Sequence, residues 1–190
     1  MRNIPLICDP ARDRIRVGGE EYAVLTNYRR WLVVYDLLTD DGGETCAKKL
    51  AECAACAVCP ELLTEDGELR EGVDAGEVLS ALAGFLLRSD GAAGEGGGRE
   101  GRGGGCGERV FDFARDAELI YSSFLSAYGT DLSDPETKLH WHAFCALLYT
   151  LPPESALMRM IALRTLDADA IEDDRERRRM RKLKRRAMGT

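Results

Sequence analysis

The sequence has few of the residues that usually perform catalysis or bind metal ions. It contains two histidines in 190 residues, and only 7% of the residues are aromatic. It has neither a G-x₄-G-K-[ST] phosphate-binding loop nor a G-x-S-x-G nucleophile motif, so two large classes of enzyme have no support. No apolar run approaches the ~18 residues that a membrane-spanning helix requires. We therefore expect a protein without enzymatic activity, cofactor or membrane span.

The N-terminal segment, MRNIPLICDPARDR, lacks the apolar core of a secretory signal peptide. Seven cysteines are present, and an odd number without a signal peptide favours reduced thiols over a disulfide framework. Both features predict a cytoplasmic protein.

The net charge of -7 is unevenly distributed. Residues 175–186, RERRRMRKLKRR, hold nine of the 26 basic residues and one of the 33 acidic residues, which leaves 17 and 32, or -15, elsewhere. Nine cations on three helical turns could bind nucleic-acid phosphates in a salt-sensitive manner. We favour the other interpretation, in which this helix docks on an acidic protein surface through residues such as Arg178, Arg181 and Arg185.

A glycine-rich segment divides the chain. Residues 91–107, GAAGEGGGREGRGGGCG, contain ten of the 20 glycines, a composition typical of a flexible linker. The sequence therefore predicts an N-terminal lobe over 1–88, a linker over 89–108 and a C-terminal lobe over 109–190.

The N-terminal lobe is predicted to open with a β-hairpin. In DRIRVGGEEYAVLT, apolar and charged residues alternate on both sides of Gly18-Gly19. Thr26 is then the expected N-cap of a helix through Leu38. Further helices are predicted over 44–58 and 75–88. The apolar stripe of the first helix consists of Tyr28, Trp31, Leu32, Tyr35 and Leu38.

The C-terminal lobe is predicted to be a bundle of about four helices, so the fold class is mainly α. The first helix begins near Asp112 and Asp116 and ends at Gly129, a typical residue after a C-terminus. Ser133-Asp-Pro-Glu136 resembles a capping box that starts a second helix, which runs to Leu151. A third helix follows to about 165, and the last covers about 169–187.

The segment KLHWHAFCALLY contains both histidines. If the capping box starts the helix, His140 and His142 lie about 200° apart around its axis and cannot bind one metal ion. We therefore predict that this segment packs in the core. Its apolar stripe consists of Trp141, Phe144, Cys145 and Leu148.

The run CAACAVCP places Cys53, Cys56 and Cys59 at intervals of three. Such spacing resembles part of an iron–sulfur or zinc site, but no second C-x₂-C pair is present to complete the ligands. On a helix the three thiols would fan across about 120° and would not converge. We favour cysteine as a small apolar residue here, with a metal or thiol site as the alternative.

Several strings together resemble the bacteriophage gene-product-fifteen family. They are VLTNYRRWLVVYDLL, DFARDAELIYSSFLSAYGTDL, LHWHAFCALLYTL, MRMIALRTLD and RRRMRKLKRRAM, in this order. The chain departs from the family at His142, where a second tryptophan is usual, and in its glycine-rich rather than charged inter-lobe segment.

The resemblance implies a protein of a phage or prophage tail module, encoded beside the tail assembly chaperone and the tape-measure protein. On this basis we expect a chaperone or accessory of tail assembly in the cytoplasm of a bacterial host. The alternatives are a structural minor tail component of the virion and a nucleic-acid-binding accessory. Candidate residues for the partner contact, beside the three arginines, are Trp31, Tyr121, Phe124, Trp141 and Phe144.

Overall fold

The computed structural model of the chain describes residues 13–39, 46–87 and 111–188. These residues are mainly helical and begin with a two-stranded antiparallel hairpin, which confirms the predicted fold class. The predicted linker, 89–108, lies outside the described residues. In the described part, no helix is long and apolar enough to cross a membrane. The elements are β1 (Arg14–Val17), β2 (Glu20–Ala23), α1 (Tyr28–Thr39), α2 (Ala47–Val58), α3 (Ala75–Leu87), α4 (Ala117–Tyr128), α5 (Trp141–Tyr149), α6 (Ala156–Thr165) and α7 (Asp174–Met188).

The described residues form two compact units. The first unit contains the hairpin, α1, α2, α3 and residues 138–146. The second unit contains α4, residues 147–149 at the end of α5, α6 and α7. The boundary thus falls within α5, whereas the division made from the sequence kept all residues after 108 together.

The hairpin forms at the predicted glycine pair. Gly18 and Gly19 have φ values of 61° and 82°, which glycine adopts without the steric cost that other residues incur. Ile15 and Val17 point into the core of the first unit, while their neighbours face solvent. The Gly18 N–H donates to Glu77 Oε1 at 3.0 Å, so the turn is tied to the first turn of α3.

The start of α1 differs from the prediction by one residue. Asn27, not Thr26, caps the helix, and its side-chain oxygen accepts the Arg29 N–H at 3.0 Å. The Thr26 carbonyl instead accepts the Trp141 N–H at 2.7 Å, and the Tyr28 N–H donates to the Leu139 carbonyl at 3.0 Å. Thr26 is therefore part of a short extended pairing with the chain before α5, which requires a non-helical backbone.

Aromatic rings form the centre of the first unit. Trp31 is fully buried and stacks on Phe85 with ring centroids 4.4 Å apart, and Trp141 lies 6.4 Å from Trp31. Each indole N–H has a carbonyl acceptor, Leu25 for Trp31 and Leu86 for Trp141. A buried Trp needs such a partner, so the two rings are held in position as well as packed.

The second unit is built around α6, which packs against both α4 and α7. Gly129 ends α4 with a φ of 65°, as its position in the sequence predicts. Ser155 caps α6 by accepting the Met158 N–H. Ser123 of α4 is buried, and its hydroxyl accepts the Leu157 N–H at 3.0 Å, which satisfies another donor of the first turn of α6.

The predicted capping box at 133–136 is wrong. The helix starts at Trp141 instead, because the aspartates around Ser133 form local turns. The Asp131 carboxylate accepts both the N–H and the hydroxyl of Ser133, at 2.7 and 2.6 Å. The Asp134 carboxylate accepts the Glu136 N–H at 2.9 Å. Ser133 therefore acts as a donor to Asp131, and these local bonds compete with helix formation.

Candidate functional site

The two histidines lie side by side, contrary to the prediction that they occupy opposite faces of a helix. Their ring centroids are 5.2 Å apart, because His140 precedes α5 and only His142 lies within it. His140 Nδ1 accepts the backbone N–H of His142 at 3.1 Å and so caps the helix through its ring. The error follows directly from the wrong helix start.

The ring nitrogens of this pair are engaged in contacts of the fold. Since His140 Nδ1 is an acceptor, Nε2 carries the proton and donates to the Asp13 carboxylate at 2.9 Å. His142 Nε2 donates to the Phe85 carbonyl at 2.9 Å. A general base needs a nitrogen that can reach a substrate proton, and both nitrogens of His140 are already bonded. The two histidines therefore connect Asp13 and Phe85 to the start of α5 by hydrogen bonds.

The three cysteines of the CAACAVCP run point in different directions. Cys53 and Cys56 are exposed on α2, whereas Cys59 is buried after its end, and its thiol donates to the Ala23 carbonyl at 3.4 Å. Burial raises the pKa of Cys59 to about 11. Among residues 13–39, 46–87 and 111–188, no three His, Cys, Asp or Glu side chains are grouped to hold a metal ion.

Four of the five aromatic residues considered for a partner contact lie in the cores of the two units. Phe144 and Trp141 stack on one another with centroids 5.9 Å apart, and Tyr28 stacks on Phe144 at 5.0 Å. Trp31 is buried beside them, and Phe124 is buried in the second unit. Tyr121 is the exception, since it remains partly exposed on α4. The four buried rings therefore stabilise the fold. Of these five residues, Tyr121 is the one that a partner can reach.

Tyr121 belongs to a partly exposed apolar stripe on α4. Leu125, one turn later, is 43% exposed, and Tyr128 follows at half-burial after a further turn. The Tyr128 hydroxyl donates to the Leu147 carbonyl at 2.8 Å, which fixes its ring against the end of α5. Tyr149, close by in the chain, is 75% exposed. We name Tyr121, Leu125 and Tyr128 the α4 stripe.

Helix α7 is docked on its own unit by basic side chains. Arg177 bonds to the Asp174 carboxylate and to the Ile171 and Glu172 carbonyls. Arg181 pairs with Asp169, and Lys184 donates to the Leu166 carbonyl at 3.0 Å. The other two candidate arginines, Arg178 and Arg185, lie on the exposed side. The basic run therefore has an inner and an outer face.

A buried ion pair that was not predicted from the sequence joins three helices of the second unit. The Arg164 guanidinium of α6 donates to both oxygens of Asp116, at 2.6 and 2.8 Å. Its Nε donates to the Ala187 carbonyl near the end of α7 at 2.8 Å. Asp116 also accepts the Asp112 N–H and a bond from Arg115. The available signal was Arg164 itself, a charged residue with apolar neighbours at Ile161, Leu163 and Leu166.

The environment of Asp116 keeps it ionised. Burial acts to raise the pKa of the carboxyl group, but the hydrogen bonds from Arg164, Asp112 and Arg115 outweigh this effect and lower the pKa to about 2. The bond to Asp116 raises the pKa of Arg164. The pair is thus charged on both sides and holds the start of α4 against α6 and α7.

The chain matches a family model described as Bacteriophage Gp15 protein over residues 11–188. Comparisons with curated proteins and with solved structures gave no match. The matched range includes the described residues of both compact units, from Asp13 to the end of α7.

Proposed function

Because the chain belongs to the bacteriophage Gp15 protein family, we propose that it is a non-enzymatic assembly protein of the phage tail that holds the tape-measure protein before the tail tube forms. The family match over nearly the whole chain is the observation that carries the proposal. The tail-module setting implied by the resemblance supplies the candidate partner. A structural minor component retained in the virion is the alternative, and mass spectrometry of purified particles distinguishes the two.

The α4 stripe is the surface that we assign to this contact. A tape-measure protein presents long amphipathic helices, and an apolar stripe on one helix is commonly recognised by a helix laid alongside it. Tyr121, Leu125 and Tyr128 lie at i, i+4 and i+7, the spacing of such a contact. Tyrosine also provides a large contact area at a low cost in side-chain entropy.

Co-expression with a fragment of the tape-measure protein tests the proposal. We expect the two proteins to copurify, and Leu125→Glu to remove at least about nine tenths of the captured fragment, because a charge would be buried in an apolar contact. Val33→Glu is the matched control, since Val33 is 51% exposed on α1 of the other unit. Capture that is absent for the native protein, or equal for both variants, would refute the assignment.

A further inference from the structure

The nine basic residues of 175–186 divide into two groups according to their direction. Arg177, Arg181 and Lys184 face the unit and bind carboxylates or carbonyls of its own chain. The other six turn away from this docked face. They are Arg175, Arg178, Arg179, Lys182, Arg185 and Arg186, and all six are exposed.

The outward residues form one continuous stripe. At about 100° per residue they fall within an arc of roughly 120°, and the three docked cations lie in a separate arc of roughly 60°. With a rise of about 1.5 Å per residue, the stripe from residue 175 to residue 186 is about 16 Å long. No acidic residue lies within it, since Asp174 and Glu176 occupy the flanks of the helix. The inner contacts and the bond from Arg164 to the Ala187 carbonyl hold the helix in this orientation.

The electrostatic surroundings of the stripe are not those suggested by the net charge of the chain. Residues 111–137 and 147–188 contain 12 basic and 13 acidic residues, so the second unit is nearly neutral. Two of those acids, Asp169 and Asp174, are already paired with Arg181 and Arg177. Since charges more than about 8 Å away are largely screened at physiological salt, the field in front of the stripe is positive.

We propose that this outer stripe of α7 binds the phosphate backbone of double-stranded nucleic acid, without sequence specificity. The sequence alone favoured an acidic protein surface, but within the chain itself Arg177 and Arg181 pair with Asp174 and Asp169, and Lys184 donates to the Leu166 carbonyl. The six outer cations are exposed on the other side of the helix. Six cations on one side of a helix bind a nucleic acid more favourably than they bind separate carboxylates. Binding to the nucleic acid releases its condensed counterions, whereas each exposed pair with a carboxylate contributes about 0–1 kcal/mol.

The composition of α7 favours double-stranded over single-stranded nucleic acid. The cations of the helix, DRERRRMRKLKRRAM, bind phosphates and guanine edges alike, and the helix has no Asn, Gln, Ser or Thr side chain that would add recognition of other bases. It also has no aromatic ring on which unpaired bases could stack, as single-strand binding proteins require. A duplex read through its phosphates is therefore the fitting ligand, whether it is DNA or RNA.

Fluorescence anisotropy of the full chain with a labelled 20-base-pair duplex tests this inference. If all six cations meet phosphates, log K should fall against log[salt] with a slope of about -5, so affinity should drop about 10³-fold between 50 and 200 mM salt. The triple variant Arg175→Gln, Arg179→Gln, Lys182→Gln should lower the magnitude of the slope by about 3. Circular dichroism of the variant verifies that the fold is retained.

The matched control removes the same charge elsewhere. Lys49, Lys138 and Arg159 are exposed cations outside the stripe, and their triple Gln variant should bind the duplex as the native chain does. Equal binding of DNA and RNA duplexes would support the inference. It would be overturned by a slope shallower than about -2, by equal losses in both triple variants, by stronger binding to single strands, or by equally tight binding to a poly-glutamate peptide.

This inference goes beyond the proposed function, and its test is independent of it. Leu125→Glu alters the α4 stripe and leaves all six outer cations in place, so it should bind the duplex normally. The Gln variant of α7 should in turn capture the tape-measure fragment. Each proposal can therefore fail while the other is retained.

Discussion

Replacing Arg164 with methionine should destabilise the second unit strongly. Methionine has about the right length and apolar character for the site, but it removes the guanidinium that donates to both oxygens of Asp116. The buried carboxylate then keeps only the Asp112 N–H and Arg115 as donors. Asp116 and Arg164 are 2% and 6% exposed, so water cannot easily take the place of the guanidinium. Breaking a buried ion pair from one side costs about 3–5 kcal/mol, and the Ala187 carbonyl loses its donor as well.

The double variant Asp116→Leu, Arg164→Met is the informative comparison. Removing both charges leaves no buried carboxylate that has lost its main partner, and replacing a buried pair with apolar residues is often neutral or stabilising. We expect the double variant to recover most of the stability lost by Arg164→Met. Urea denaturation followed by circular dichroism gives both free energies of unfolding. A loss below about 1 kcal/mol for Arg164→Met would refute the view that this pair holds the three helices together.

The same pair predicts how stability depends on pH. The folded pKa of Asp116, about 2, is below its ordinary value of 3.8, so the folded state favours the ionised form. Its contribution is therefore present above pH 4 and is lost as the pH falls from about 4 to 2. The shift corresponds to about 2 kcal/mol. Asp116→Asn should lack this component of the acid transition, whereas an unchanged difference between pH 5 and pH 3 would contradict the assignment.

Two further predictions concern single residues. Iodoacetamide at pH 7.5 should label the exposed Cys53 rapidly and Cys59 only after unfolding, because burial raises the pKa of Cys59 to about 11. Peptide mass spectrometry measures the two labelling rates. Equal rates in the folded protein would contradict the buried position of Cys59. Gly129→Ala should destabilise the protein by about 1 kcal/mol, because residue 129 has a φ of 65°. Gly84→Ala should stabilise it by a similar amount, because Gly84 lies in the middle of α3 with open space for a methyl group. Thermal melts compare the two variants, and the reverse order of stability would contradict the left-handed conformation of Gly129.

The features that could be predicted from the sequence depend on local signals. Gly18-Gly19 specifies a turn with positive φ values at both positions, and the alternation around it assigns the two hairpin faces. Gly129 likewise marks the end of α4 because glycine reaches the left-handed region easily. In both cases the glycine itself favours the backbone conformation that it adopts, so no distant contact is needed to predict it. The order of α1, α2 and α3 agrees with the prediction, and for α1 the periodic apolar stripe from Tyr28 to Leu38 is the signal.

The prediction failed where two local signals competed. Ser133 and Glu136 have the spacing of a capping box, but Asp131 and Asp134 offer side-chain bonds to the same backbone, and the turns form instead. The chain from Leu139 to Trp141 is then free to pair with Thr26 and Tyr28. Such long-range pairing leaves no periodic pattern in the sequence. The relation of His140 to Asp13 could not be predicted for the same reason, since 127 residues separate them.

The burial of the aromatic residues changes what the family resemblance says about recognition. Tyr28, Trp31, Trp141 and Phe144 are among the most distinctive matches, and all four pack together in the first unit. A side chain that is needed to fill a core is constrained by its neighbours whether or not a partner exists. These four matches therefore indicate a shared fold and give no information about a partner. Residues that contact a partner have to be exposed, and they need a reason beyond packing to be large or charged. In the described part of the second unit, the α4 stripe and the outer face of α7 satisfy that condition, and a binding experiment should therefore begin there.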